Sequence, residues 1–262
     1  MTLTRRSLSY GALFGIIAAA MSAGCASPEA RVCEIDPLAD PVLKRMCDTL
    51  DGAKAFSFHV KATMDRPVGT GRLAQFHRAS DVTVVRPDRL FAKTDSDDGL
   101  WSVWYRGQTL TVLDRDDNRY ATETVPGRMD QMLDYMVDHY DLVMPMADLV
   151  IGKTYDSLLA NVDTGTYVGL RTVGETQCHQ LLFQQENIDW QIWIDAGKQP
   201  LPRKLVITYK EDPDQPQYVA TIDNWDLAPA VSDETFTFAP PAGAQTVSMS
   251  DLVASEESGE QP

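Results

Sequence analysis

The chain has 262 residues, enough for one large β domain or two small ones with a core of real size. Its 44% hydrophobic and 23% charged residues are the composition of a globular protein. A formal net charge of −15 argues against nucleic acid as a partner, because neutralising phosphates takes Lys and Arg in excess.

Residues 1–24, MTLTRRSLSYGALFGIIAAAMSAG, read as a signal peptide: Arg5 and Arg6, an apolar run from Leu8 to Met21, then small residues. The run is short for a membrane span and does not end in charges. Cys25, after Ser22, Ala23 and Gly24, resembles the lipidated Cys of a bacterial lipoprotein box. Ser22 stands where such boxes carry Leu, and a plain secretory signal cut nearby is the other reading. Arg5-Arg6 also touches on a twin-arginine signal, from which Ser9 departs. Ala26 is not the Asp that holds many lipoproteins at the inner membrane. The expectation is an exported protein on the periplasmic side, tied to the outer membrane by a lipid on Cys25.

Residues 25–40 carry small, acidic and Pro residues without periodicity and are expected to be a tether. A helix should start near Pro41 with Asp40 as cap, bury Val42, Leu43, Met46 and Leu50, and stop at Gly52. From Ala53 to Val125 apolar residues alternate in six strand-like runs separated by turns such as DRPVG and DSDDG. The alternation breaks at residues 126–141, where Met129, Met132, Leu133, Met136, Val137 and Tyr140 recur three and four apart, the pattern of an amphipathic helix. A short turn or helix in MPMADLVIG follows. A second β series then runs through TYVGLRTVG, TQCHQLLFQQE, DWQIWID, RKLVITYK, QYVATIDNW and TFTFAPPAGAQTV. Residues 248–262 are polar and expected to be disordered. One helical interruption between two β series predicts a single antiparallel sheet over 41–247.

Cys33, Cys47 and Cys178 allow at most one intramolecular bridge. Cys33 in the tether and Cys47 on the first helix are expected to pair, with Cys178 left as a buried thiol in an apolar strand. No spacing of Cys or His suits zinc, and in a strand Cys178 and His179 would face opposite ways. Asp114, Asp116 and Asn118 have the spacing of the first three ligands of a calcium loop. Arg119 replaces the required Gly and Val125 the bidentate Glu, so DRDDN reads as a hairpin tip. PLPRKL reads as a structural connection, its prolines starting the next strand. No nucleophile elbow, phosphate loop or dinucleotide fingerprint is present, and no metal or cofactor is expected.

CHQLLF (178–183), DWQIWID (189–195), PLPRKLVITY (200–209), PQY (216–218), DNW (223–225) and FTFAPPAGA (236–244) resemble a family of bacterial exported proteins known as domain of unknown function 2092. RPDRL (86–90) and PMADLV (145–150) are weaker matches. That family lies within the LolA/LolB-like superfamily of lipoprotein-localisation factors. The resemblance implies an α+β, mainly β fold: a strongly bent antiparallel half-barrel whose apolar concave face is covered by helices and, in the characterised relatives, takes up acyl chains or other hydrophobic cargo.

In such a fold Trp190, Ile192 and Ile194 should face the cavity, while Trp193 lies on the convex face under the stem of Lys204 or Arg203. The opposite assignment would bury Asp189, Gln191 and Asp195 without evident partners. Met129, Met132 and Met136 on the interrupting helix are expected to cover the cavity, although Met at helical spacing is more often plain core. The leading expectation is a monomeric, non-enzymatic, lipid-tethered binder of hydrophobic ligands or lipoprotein acyl chains. A sensor or protein-interaction module of the same fold is the second reading, and a hydrolase using cleft carboxylates the third. Lipidation is open to a direct check: the wild type should partition into membranes with a diacylglyceryl mass increment, and Cys25→Ser should release it or leave it uncleaved. A wild type soluble in the periplasm with another N-terminus would refute lipidation.

Overall fold

The computed structural model describes residues 34–69, 71–140 and 145–257. Cys25 and Cys33, with the rest of the expected signal peptide and the start of the tether, lie outside the described residues. The chain opens with strand β1 (Glu34–Ile35) and helix α1 (Ala39–Gly52). Six strands follow: β2 (Ala55–Pro67), β3 (Leu73–Val85), β4 (Arg89–Ser96), β5 (Gly99–Arg106), β6 (Thr109–Asp114) and β7 (Arg119–Thr124). Helices α2 (Met129–Tyr140), α3 (Ala147–Ile151) and α4 (Thr154–Leu159) interrupt the sheet. Strands β8 (Thr164–Val173), β9 (Thr176–Gln184), β10 (Ile188–Asp195), β11 (Pro202–Tyr209) and β12 (Gln217–Asp226) resume it. A single 3-10 turn (Asp233–Phe236), the short strand β13 (Gln245–Thr246) and helix α5 (Met249–Glu257) end it.

All strands belong to one curved, unclosed sheet in the order β1-β8-β9-β10-β11-β12-β2-β3-β4-β5-β6-β7-β13. Neighbours pair antiparallel except at the two ends, where β1 joins β8 and β13 joins β7 in parallel. The β12–β2 ladder joins the second β series to the first, which is why two runs separated by helices make one domain. Alternate side chains go to opposite faces. On the concave face Leu181, Ile192, Leu205, Ala220 and Ala62 stand side by side in one row, and Phe183, Trp190, Ile207, Tyr218 and Met64 in the next. The helices close over these rows into one continuous core.

Four boundaries differ from the sequence expectations. The tether is shorter than 25–40: Ile35 pairs with Gly165, and α1 starts at Ala39 because the backbone N–H groups of Ala39 and Asp40 reach the Asp36 carbonyl. Gly165 has a steric reason, since a Cβ there would stand 2.7 Å from Ile35 Cδ1 and 2.8 Å from Phe183. Residues 249–257 are not disordered but helical, with Met249 and Leu252 buried in the core. Ser248 caps that helix through the backbone N–H of Asp251. TFTFAPPAGAQTV is a strap across the convex face, because Pro240 and Pro241 bring no ladder donors. Asp233 binds Arg89 and Arg106, Phe236 is buried, and Phe238 packs between Trp104 and Tyr120 at 5.0 and 4.9 Å. Finally, α4 has no counterpart in the sequence reading.

Three of the helices are fastened to one another by polar contacts. Arg86, in the β3–β4 turn, donates from Nη1 to the carbonyls of Leu50 and Ala53 at the end of α1. Its Nε and Nη2 donate to the carbonyls of Val150 and Leu149 in α3. The Leu50 carbonyl also accepts from the Ala53 N–H, but carbonyls at the last turn of a helix need donors from outside it, and a cation is favoured where helix dipoles end. Phe56 lies under the guanidinium at 4.9 Å. Asp51 receives the backbone N–H and the hydroxyl of Thr154, the first residue of α4, and Tyr155 donates to Asp40. Arg86→Met should therefore destabilise the domain by about 3 kcal/mol in urea unfolding, since several half-buried carbonyls lose their donors together. A loss below about 1 kcal/mol would show that the helices are held by apolar packing alone.

Candidate functional site

The concave face of β9–β12 and the helices above it form the candidate site. Trp190, Ile192 and Ile194 all point inward and are buried, as the alternation required. Trp190 stacks on Phe183 at 4.2 Å between ring centres. Helix α1 lies against β10 and β8. Met129, Met132 and Met136 are buried on one face of α2, in the same continuous core. The two expected groups thus share one core beneath different helices, α2 being in contact with α3. In this conformation the Met face is packed as core.

Helix α2 has a polar anchorage of its own. Tyr135 donates to Glu123 Oε1 of β7 at 3.1 Å, and its ring stacks on His139 at 3.9 Å. The Met129 N–H reaches the Pro87 carbonyl, and the Tyr105 hydroxyl fixes the Pro126 carbonyl just ahead of the helix.

Trp193 lies on the convex face, with Lys204 Nζ 4.8 Å from its ring centre. Arg203, the other candidate for that place, instead binds Asp195 Oδ2 through Nε and Nη2 at 3.1 and 2.8 Å. Gln191 accepts from Gln180, and Asp189 pairs with Lys210 at 3.0 Å. The polar members of DWQIWID are all on the outer face and hydrogen-bonded or ion-paired there.

The groups weighed for other chemistry are engaged in holding the fold. Cys178 is buried, and burial pushes its thiol up to about 11. His179 faces the other way, its ring bonded to the Tyr167 hydroxyl. Cys47 is likewise buried, its thiol pushed up to about 12 by burial. DRDDN is the β6–β7 turn: Asp114 accepts from the N–H groups of Asp116 and Asp117 and from Arg119, and Asp116 accepts from Leu100. Asp95 is bound by Arg115 and Asp97 by the His77 N–H, and both carboxyls are held below their ordinary range by those bonds. Asp98 takes two hydrogen bonds from Arg66. Among the described residues no three His, Cys, Asp or Glu side chains converge as a metal site would need. A depression of about 520 Å³ on the sheet, lined in part by Lys61, His77, Asp95 and Asp97, is floored by these same paired groups.

Sequence reasoning missed Arg86, Asp51 and the Tyr135–Glu123 contact. It also missed Gln185, which is buried although its parity after Leu181 and Phe183 already assigns it to the concave face. For the connection between β10 and β11, Lys204→Gln should cost less than about 1 kcal/mol, because a partly exposed cation–π contact is weak. Arg203→Gln should cost more by urea unfolding, through Asp195. The reverse order would place the structural role on Lys204.

No curated protein matches the chain. Among solved structures it is similar to the lipoprotein LppX of Mycobacterium tuberculosis (12% identity, 72% of this chain and 96% of that one, TM-score 0.41). It is similar also to LprF of Mycobacterium bovis (14%, 80% and 98%, 0.43) and to a LolA superfamily protein of Nitrosomonas europaea (7%, 76% and 97%, 0.35). The family model described as predicted periplasmic protein, DUF2092, matches residues 39–250, and the chain belongs to that family.

Proposed function

We propose that the protein is a non-enzymatic periplasmic binder of hydrophobic ligands, taking acyl chains, lipids or the acyl chains of lipoproteins beneath the helices of its half-barrel. The observation that carries this reading is the unequal fastening of the cover. Arg86, Asp51 and Asp40 tie α1, α3 and α4 together by polar contacts. Against this, α2 presents Met129, Met132 and Met136 to the core and is anchored to the sheet through Tyr135. Met side chains repack around partners of differing shape, so α2 is the element suited to rise and let a chain in. Trp190, Ile192 and Ile194 are the proposed wall. Each methylene moved from water into this core contributes about 0.8 kcal/mol.

A lipid on Cys25 would hold the domain, as a monomer, at the periplasmic face of the outer membrane. Cys47 is a free, buried thiol among the described residues. The proposed bridge from Cys33 would replace that thiol and pin the leader to α1, which packs on β8, the strand that β1 also joins.

The sensor or interaction reading keeps one supporting observation. Among the described residues β1 covers β8 only at Thr164 and Gly165, and Val168 and Leu170 farther along that edge are exposed. An open edge can accept a partner strand.

The folded protein should bind about one lipophilic fluorophore such as N-phenylnaphthylamine per chain without denaturant, and long-chain acyl lipids should displace it. Tyr135→Phe removes one of the two tyrosine contacts of α2 to Glu123, the other being that of Tyr140. It should speed uptake several-fold while moving Tm by no more than about 4 °C, the effect of about 1 kcal/mol. Absence of saturable binding would overturn the proposal, and unchanged uptake in Tyr135→Phe would remove α2 from it.

A further inference from the structure

One spot on the concave face is polar and unanswered. Gln185 is only 2% exposed, and neither its Nε2 nor its Oε1 has a hydrogen-bond partner. Trp190 is 3% exposed, and its Nε1 has none either. The two belong together by register. Trp190 pairs with Phe183, and the Gln185 N–H reaches the Ile188 carbonyl, so Phe183, Gln185, Ile188 and Trp190 form one block on the same face. A buried amide and a buried indole N–H left unbonded cost stability, and two of them in one block of the wall, where Tyr209 pairs with Ile188 and Tyr218 stands in the Trp190 row, call for an occupant.

The other unbonded buried atoms are different in kind. Arg115 and Arg119 leave only Nε unbonded while their terminal nitrogens are engaged, and Trp101 is a partly exposed side chain near Asp116. Asp189 Oδ1 has Lys210 at 3.0 Å.

Resting on the reading of the protein as a hydrophobic-ligand binder, we infer that Gln185 and Trp190 are a head-group site for an acyl lipid with a neutral head carrying both a carbonyl and a hydroxyl or amide N–H. The chemistry follows from the atoms on offer. Trp190 Nε1 and Gln185 Nε2 donate and suit a carbonyl oxygen, while Gln185 Oε1 accepts and needs a donor. An anionic head would leave that oxygen facing like charge. Lys210, the cation bonded to the Gln185 backbone carbonyl, is already engaged there and by Asp189. The acyl chain would continue from this block along Ile192 and Ile194.

Displacement of bound N-phenylnaphthylamine tests the assignment with three probes of one chain length: monooleoylglycerol, methyl oleate and oleate. The wild type should prefer monooleoylglycerol to both others by about 10-fold, the value of one buried hydrogen bond. Gln185→Met, close in shape, should abolish the preference by weakening monooleoylglycerol more than methyl oleate, which has a carbonyl for Nε2 but no donor for Oε1, and its Tm should hold or rise because an unbonded amide is gone. Trp190→Phe should weaken both esters. Wild-type binding of the probes without head preference, or with a preference that Gln185→Met retains, would overturn the head-group site alone. Binding of none of the probes would overturn it together with the hydrophobic-ligand reading. A fall in Tm in Gln185→Met with the preference intact would make Gln185 a structural group and likewise overturn the site.

Discussion

An unclosed sheet with one apolar face cannot stand in water without a cover, and the rest of this molecule follows from that constraint. The inner rows running from Leu181 and Phe183 across to Ala62 and Met64 hold large apolar side chains with no second sheet opposite them. Helices supply the missing layer. They come from three places in the chain, before β2, between β7 and β8 and after β13, so the two β series must be joined through β12–β2 before the cover is complete. The outer face is handled differently along its length. Over β4–β7 the strap from Asp233 to Thr246 covers Phe91, Trp104 and Tyr120. Over β9–β11, polar pairs and the Lys204–Trp193 contact complete it.

A cover that must seal an apolar face and also admit a ligand needs parts of unequal strength, because ligand-gating elements are drawn from the less stable end of a structure. The polar fastenings are distributed in that way. One guanidinium closes the ends of two helices, and one carboxylate starts a third. These bonds hold only if their geometry is kept, which makes α1, α3 and α4 act as a block. The Met face of α2 has no such directional demand. The proposed function therefore sits on a contrast between helices hydrogen-bonded to one another and α2, whose own hydrogen bonds run to β7 and the β3–β4 turn while its Met face is packed.

Much of the architecture was legible in the sequence. Period-two alternation located β2 to β12 to within a few residues, and period 3.6 located α1 and α2. The two faces of DWQIWID were readable because burying Asp189, Gln191 and Asp195 would have been costly. The misses have physical causes. The α5 residues Met249, Leu252 and Val253 lie in a Ser- and Glu-rich segment whose composition masks three helically spaced apolar positions. TFTF alternates like a strand, but prolines end it before it can pair. Arg86 looked like an ordinary turn residue before Pro87, and only the tertiary arrangement brings the carbonyls of α1 and α3 to it. Gln185 was the reverse case: its parity was visible, and the lack of partners was not.

The measurement that bears most directly on the account is native mass spectrometry, with lipid extraction, of the protein purified from its own envelope without added detergent. The account requires a non-covalent acyl lipid at near one per chain, retained through purification and released on unfolding. A chain that is folded, homogeneous and free of lipid, and that stays so when offered a total lipid extract, would contradict it.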